Sequence, residues 1–158
     1  MSKKPKLRTV EKSLPPFPLN EFPKDFPFIL GKELVYLLAS KGKAILEGSE
    51  FEAIFATCIG AEWKPSNVGL DDIILGNTAW GAKTVKATNP ATQKKVRLIS
   101  GRNSPVYSFG ETIDTHHDPN AVGQSVLEIW NERDSAVREK YQNLRTVVLV
   151  KSNDLTEV

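Results

Sequence analysis

The chain predicts an α/β (α+β) domain, with a central mixed sheet of about four to five strands and helices on both faces. Three observations carry that expectation. Apolar residues recur at helical spacing around Leu34–Leu38, Phe51–Ile59 and Val122–Trp130. Between the second and third of these stretches, short apolar runs broken by Gly76-Asn77 and Asn89-Pro90 read as an antiparallel meander. After the third comes Thr146-Val147-Val148-Leu149-Val150, whose β-branched and apolar residues read as a buried strand.

Taken in order, residues 1–28 open with Lys3, Lys4, Lys6, Arg8 and Lys12, then set five prolines among Phe17, Phe22, Phe26 and Phe28. Prolines at this density fix φ and remove backbone donors. The segment is therefore expected as an extended basic arm whose phenylalanines pack onto the domain formed by residues 29–158. Gly31–Leu46 reads as the first helix, with Leu34, Leu37 and Leu38 on its buried face. Ser49 and Glu52 form a capping-box pattern for a second helix, Glu50–Ile59, which Gly60 ends. Ala61–Gly69 is a polar loop. Strands are expected at Asp71–Leu75, Thr78–Thr88 and Lys95–Ser100, with a loop over Gly101–Asp118. The longest helix runs from Asn120 to about Asn143, with Val122, Val126, Ile129 and Trp130 on its apolar face. A final strand covers Arg145–Lys151. Lys151–Val158 reads as the first turn of a hairpin, either of a chain that continues beyond it or of a domain whose last strand is very short.

At 158 residues the chain is one domain by length and large enough to bury a core. A hydrophobic share of 40% and a charged share of 25% belong to an ordinary globular protein. With 21 basic and 19 acidic residues, the net charge of +2 gives no global signature of a nucleic-acid binder. The charges are instead arranged in blocks. Basic residues crowd the arm and the stretch from Lys83 to Arg102, with Glu47, Glu50, Glu52, Glu62, Asp71 and Asp72 between them. The single cysteine, Cys58, excludes an internal disulfide and reads as a small buried side chain. There is no apolar run of membrane-spanning length and no signal-peptide core, so a cytoplasmic protein is expected.

The chemistry concentrates in Gly69–Lys86. Asp71 and Asp72 open an apolar run, Gly76-Asn77 turns the chain, and the next run carries Lys83 and Lys86. Carboxylates on one strand and a lysine on its neighbour meet at cross-strand distance. A hard divalent cation held by carboxylates neutralises a phosphate and generates hydroxide near neutral pH. A lysine beside it orients or deprotonates the water and stabilises developing negative charge.

Glu50-Phe51-Glu52 opens a helix that ends in Gly60, Gly69-Leu70-Asp71 leads into Asp72-Ile73-Ile74, and a lysine follows on the next strand at position 83 or 86. In these features, and in the order helix, helix, three strands, helix, strand, the chain resembles the PD-(D/E)XK nuclease superfamily, which includes most type II restriction endonucleases. The resemblance spans Ser49 to Lys151. It implies a Mg2+-dependent endonuclease, a metal-binding and DNA-binding hydrolase of a restriction system, that cuts double-stranded DNA. Asp71 would be the principal metal ligand, with Glu52 or Asp72 assisting, and Lys83 or Lys86 the catalytic lysine. Such enzymes often act as homodimers, because a palindromic site mirrors a two-fold axis; the helix from Asn120 could serve that interface, and core packing explains its apolar stripe equally well. The chain departs from the pattern in one respect. The acid expected two residues before the lysine is Gly81 if the lysine is Lys83, and Thr84 if it is Lys86. Strand alternation puts Gly81 and Lys83 on one face, Thr84 and Lys86 on the other. Lys83 is preferred, because the Gly76-Asn77 turn brings it nearer Asp71. Glu52 or Asp72 would supply the missing acid. The alternative is a catalytically inactive DNA-binding or protein-interaction module on the same scaffold. Arg97, Arg102, Asn103 and Ser104 flank Gly101, and their side chains suit base edges and phosphates. His116-His117-Asp118 lacks a partner at metal-ligand spacing and reads as loop.

Overall fold

The computed structural model describes residues 14–66, 68–98 and 118–158. Its helices are α1 (Phe26–Lys41), α2 (Gly48–Ile59) and α3 (Pro119–Arg138). Its strands are β1 (Glu62–Trp63), β2 (Ile73–Leu75), β3 (Thr78–Lys86) and β4 (Asn143–Lys151), and they lie in that order in one sheet. β1, β2 and β3 are antiparallel neighbours, whereas β4 runs parallel to β3 from Thr78↔Asn143 to Lys86↔Lys151. The sheet is therefore mixed, as the sequence predicts. Among the described residues, no helix is long and apolar enough to cross a membrane.

α1 begins at Phe26, inside the arm expected to be extended and five residues before the expected Gly31, and it ends at Lys41 rather than Leu46. Pro27 sits in its first turn, where a helix leaves the N–H unbonded in any case. Gly42 ends the helix in the left-handed region at φ 63°, its N–H directed at the carbonyls of Leu38 and Ala39. α2 has a capping box, but between Glu47 and Glu50 rather than Ser49 and Glu52. The Glu50 carboxylate accepts from the Glu47 N–H at 2.8 Å and from the Lys41 ammonium at 2.7 Å. These two bonds hold its carboxyl below the usual glutamate range. The box moves because Lys41, at the end of α1, gives Glu50 a cationic partner.

Alternation along the strands divides the core between the two faces of the sheet. Ile73, Trp80 and Leu149 join Leu34, Leu46, Phe51, Phe55 and Ile59 from the α1–α2 side. Phe55 is completely buried, and its ring meets those of Phe22, Phe26, Phe51 and Trp80 at centroid distances of 5.7–6.3 Å. Phe17, Phe22 and Phe26 of the arm thus pack onto the domain, whereas Phe28, expected to do the same, is exposed. On the other face, Leu70 and Ala79 pack with Val137 of α3, flanked by Ile74, Trp130, Tyr141 and Leu144. Asp118 caps α3 by accepting from the Asn120 N–H at 2.9 Å. The helix stops short of Asn143, whose own N–H bonds to the Asn77 carbonyl and starts β4 beside β3. Cys58 is buried in the core, and burial pushes its thiol up to about 11.

The meander is displaced from its expected position. Lys95–Leu98 form no strand, and residues 99–100 lie outside the described residues. The third antiparallel strand is Glu62–Trp63, within the stretch read as loop. The outer edge of β3 is already occupied by β4 along its whole length, which leaves no edge for a returning strand. The chain instead leaves the sheet after Ala87, whose N–H bonds to the Lys151 carbonyl, and turns through a 3-10 helix at Pro90–Thr92. At the end of β4, Ser152 and Glu157 close a turn through a 2.9 Å backbone bond. Inside it, hydroxyls of Ser152 and Thr156 hold the Asp154 carboxyl down to about 2.

Candidate metal and phosphate site

Asp71 and Asp72 lie in the last residues of the loop that leads into β2, and both are buried, at 7% and 5% exposure. The loop is tied to β1 through the Lys64 N–H, which bonds to the Asp72 carbonyl at 2.7 Å. Ser66 contacts both carboxylates. Its backbone N–H donates to Asp72 Oδ1 at 2.8 Å, and its hydroxyl donates to Asp71 Oδ1 in a short hydrogen bond. Burial pushes the Asp72 carboxyl above its usual range, and the charge of Asp71 adds to that shift. The Ser66 hydrogen bonds and the charge of Lys83 oppose it.

Lys83 lies on β3 opposite Val148, on the same face as Gly81. Continuing the β2–β3 register one step beyond Ile73↔Trp80 sets Asp72 across from Gly81. A carboxylate thus lies opposite the glycine at the position where the sequence reading expected an acid. The glycine itself has a steric reason. A Cβ at position 81 would lie 3.2 Å from the Gly69 carbonyl oxygen and 3.2 Å from the Leu70 Cα. The loop backbone rests directly on β3 there and fills the space a side chain would need. Gly81→Asp is therefore expected to lower stability by about 1–3 kcal/mol, seen as a lower urea midpoint, without adding a usable ligand. An unchanged midpoint would mean that the loop yields.

The other assigned residues lie apart from this pair. Lys86 is exposed on the opposite face of β3, in register with Lys151. The buried Lys151 amine donates to the Leu46 carbonyl at 3.3 Å; burial, and then the charge of Lys86, push its pKa down. Glu52 projects from α2 toward the β1 edge, where its carboxylate accepts from the Trp63 indole N–H at 3.3 Å. Among the described residues, no three His, Cys, Asp or Glu side chains group together as a metal cluster, so Glu52, Asp71 and Asp72 do not form one. Arg97 is exposed in the irregular stretch after the 3-10 turn, whereas Arg102, Asn103, Ser104, His116 and His117 lie outside the described residues. Asp118 is the cap of α3.

Two neighbouring carboxylates offer the oxygen chemistry a hard cation takes. Ser66 engages Oδ1 of each carboxylate. Mg2+ keeps several of its waters and binds through as few as one or two carboxylates, so a neighbouring pair of acids is enough protein contribution for such an ion. Ser66 was not legible as part of this site. It stands in a polar loop with no motif around it, and only the folded loop brings it to both acids.

No protein-family model, curated protein or solved structure matches this chain.

Proposed function

We propose that this domain is a metal-dependent endonuclease of the type II restriction-endonuclease kind, hydrolysing phosphodiester bonds in double-stranded DNA with Mg2+. The observation that carries this reading is the buried pair Asp71 and Asp72 at the head of β2, with the charge of Lys83 acting on Asp72 from the adjacent strand. It is supported by the sheet that holds them: α2, three antiparallel strands, α3, and a last strand parallel to the third.

In this mechanism the carboxylates of Asp71 and Asp72 would hold the cation. When bound, the cation supplies a polarised phosphate and a water of lowered pKa. Asp72, lying across from Gly81, stands in for the acid missing from β3. Lys83 supplies positive charge beside the reacting phosphate, stabilising its developing negative charge. Arg97 offers an exposed cation to the DNA backbone. A cytoplasmic homodimer acting on a palindromic site completes the reading. The buried apolar residues of α3, Ile129 and Val137, are spent on the fold itself, so a dimer interface there would depend on exposed residues such as Leu127.

Gly81 favours a second reading, a DNA-binding module without catalysis. Incubation with supercoiled plasmid separates the two. Nicked and linear products are expected with Mg2+ and none with EDTA. Retention of plasmid in a mobility shift, with no cutting in Mg2+ or Mn2+, would establish the module instead.

A further inference from the structure

We infer that the outer edge of β4 is a docking site for an extended peptide segment of a partner protein. The segment adds a strand to the sheet, sets bulky apolar side chains at alternate positions in the cavity beside that edge, and carries a basic residue at the cavity rim. β4 is the last strand of the sheet, nine residues long, and β3 pairs with one side of it only. The Asn143 N–H donates to the Asn77 carbonyl, and the Lys151 carbonyl accepts from the Ala87 N–H, so both residues direct their backbone groups toward β3. These groups alternate along a strand. Leu144, Thr146, Val148 and Val150 therefore direct theirs away from β3, where none meets a hydrogen-bond partner among the described residues. Proteins guard such an edge with prolines, bulges or charged side chains. β4 has no proline, and its register with β3 is unbroken. Its two cations are engaged elsewhere: the Arg145 guanidinium donates to the Phe17 carbonyl at 2.6 Å, and the buried Lys151 amine donates to the Leu46 carbonyl. Thr146–Val150 between them carry no charge.

A cavity of about 800 Å3 adjoins this edge. Val147, Val148, Leu149 and Val150 all line it, although their side chains alternate between the two faces of the sheet, so the space reaches round the edge itself. Phe22, Phe26 and Phe51 form its apolar wall. Glu157 is exposed at its rim and makes no ion pair among the described residues. Strand addition uses both features: main-chain bonds give affinity, and pockets for alternate side chains give specificity. A second copy fits less well. Paired edge to edge, its β4 would bring Val147 and Leu149 to this face, residues already packed into their own core, and the space would stay unfilled.

The probes are short random peptides displayed on phage and selected on the wild-type chain. Selected peptides are expected to alternate bulky apolar with polar residues and to carry Lys or Arg near one end. Synthesised with a fluorophore, they report affinity by fluorescence polarisation. Val148→Pro removes an outward donor and spares the bonds to β3. It should weaken binding about tenfold or more, because a peptide carbonyl loses its partner. Glu157→Lys should weaken binding about two- to fivefold, the scale of an exposed ion pair. The peptide supplies its own control should Val148→Pro fail to fold. N-methylation of its odd-numbered or its even-numbered amides should abolish binding in one set and spare it in the other, since only one set faces β4. A selection without binders, binders indifferent to folded Val148→Pro or to Glu157→Lys, or equal effects of the two methylated sets would overturn the proposal. A wild-type dimer in analytical ultracentrifugation that Val148→Pro converts to monomer would overturn it in favour of a second copy.

Discussion

Lys83→Ala is expected to slow Mg2+-dependent plasmid cleavage by about 100- to 10,000-fold, the span that one positioned proton-transfer or charge-stabilising group contributes. Lys86→Ala, by contrast, should cut near the wild-type rate. The two lysines lie three positions apart on one strand, but strand alternation sends them to opposite faces. Only Lys83 shares a face with Gly81, and it is the charge of Lys83 that acts on Asp72. Lys86 instead lies beside the strand end where the Lys151 amine is buried. Initial rates from gel densitometry, with circular dichroism to verify folding, make the comparison. A Lys83→Ala protein that cuts at the wild-type rate would remove Lys83 from the mechanism, and equal losses in both variants would indicate general attraction of DNA rather than a positioned group.

Phe55→Ala should cost about 3–5 kcal/mol, the range for emptying a fully buried aromatic site. Phe55 is the point where α1, α2, β3 and the arm meet, through Phe26, Phe51, Trp80 and Phe22. Four rings packed around one vacancy cannot all close in without leaving their staggered rotamers. Domains are stable by only about 5–15 kcal/mol, so this single change would remove much of the margin. The urea midpoint should fall strongly, and it should fall far less for Phe55→Leu, which keeps most of the volume. A loss below about 1.5 kcal/mol, the usual limit for volume-conserving changes, would mean that the aromatic group collapses freely.

The helices and the long strands were legible because their signals are local. Leu34 and Leu37, or Phe51 and Phe55, repeat at helical spacing whatever packs against them. β3 and β4 are dense in β-branched and apolar residues. The missed strand failed for the opposite reason. Glu62–Trp63 is two residues long, and it is a strand only because Ile73 and Ile74 pair with it. Lys95–Leu98 has an apolar rhythm of its own, but β4 had taken the edge it needed. The capping box was legible as a pattern yet assigned two residues too late, because Glu50 is also held by Lys41 at the end of another helix. At the candidate site the acids and Lys83 were named from sequence. The role of Gly81 depends on the nearby Gly69 carbonyl, and that of Ser66 on how its loop folds. No spacing rule carries either.

The parallel pairing of β3 with β4 has a consequence for how the chain reaches this fold. The β3–β4 partners are separated by 65 residues of chain, as are Asn77 and Gln142, which bond just before the strands begin. The neighbouring β2–β3 pairing closes through the tight turn at Gly76-Asn77. The closure entropy of the long loop must be met before its contacts repay it, so such pairings form slowly. During synthesis, β3 is made well before its partner and waits with one long edge open. An open, flat edge is a template for pairing with another chain. Lys83 and Lys86, each on one face of that waiting strand, place charge on both sides of it, and charged side chains are a common guard against such association. The lysine read as catalytic in the finished fold thus also protects the unfinished one.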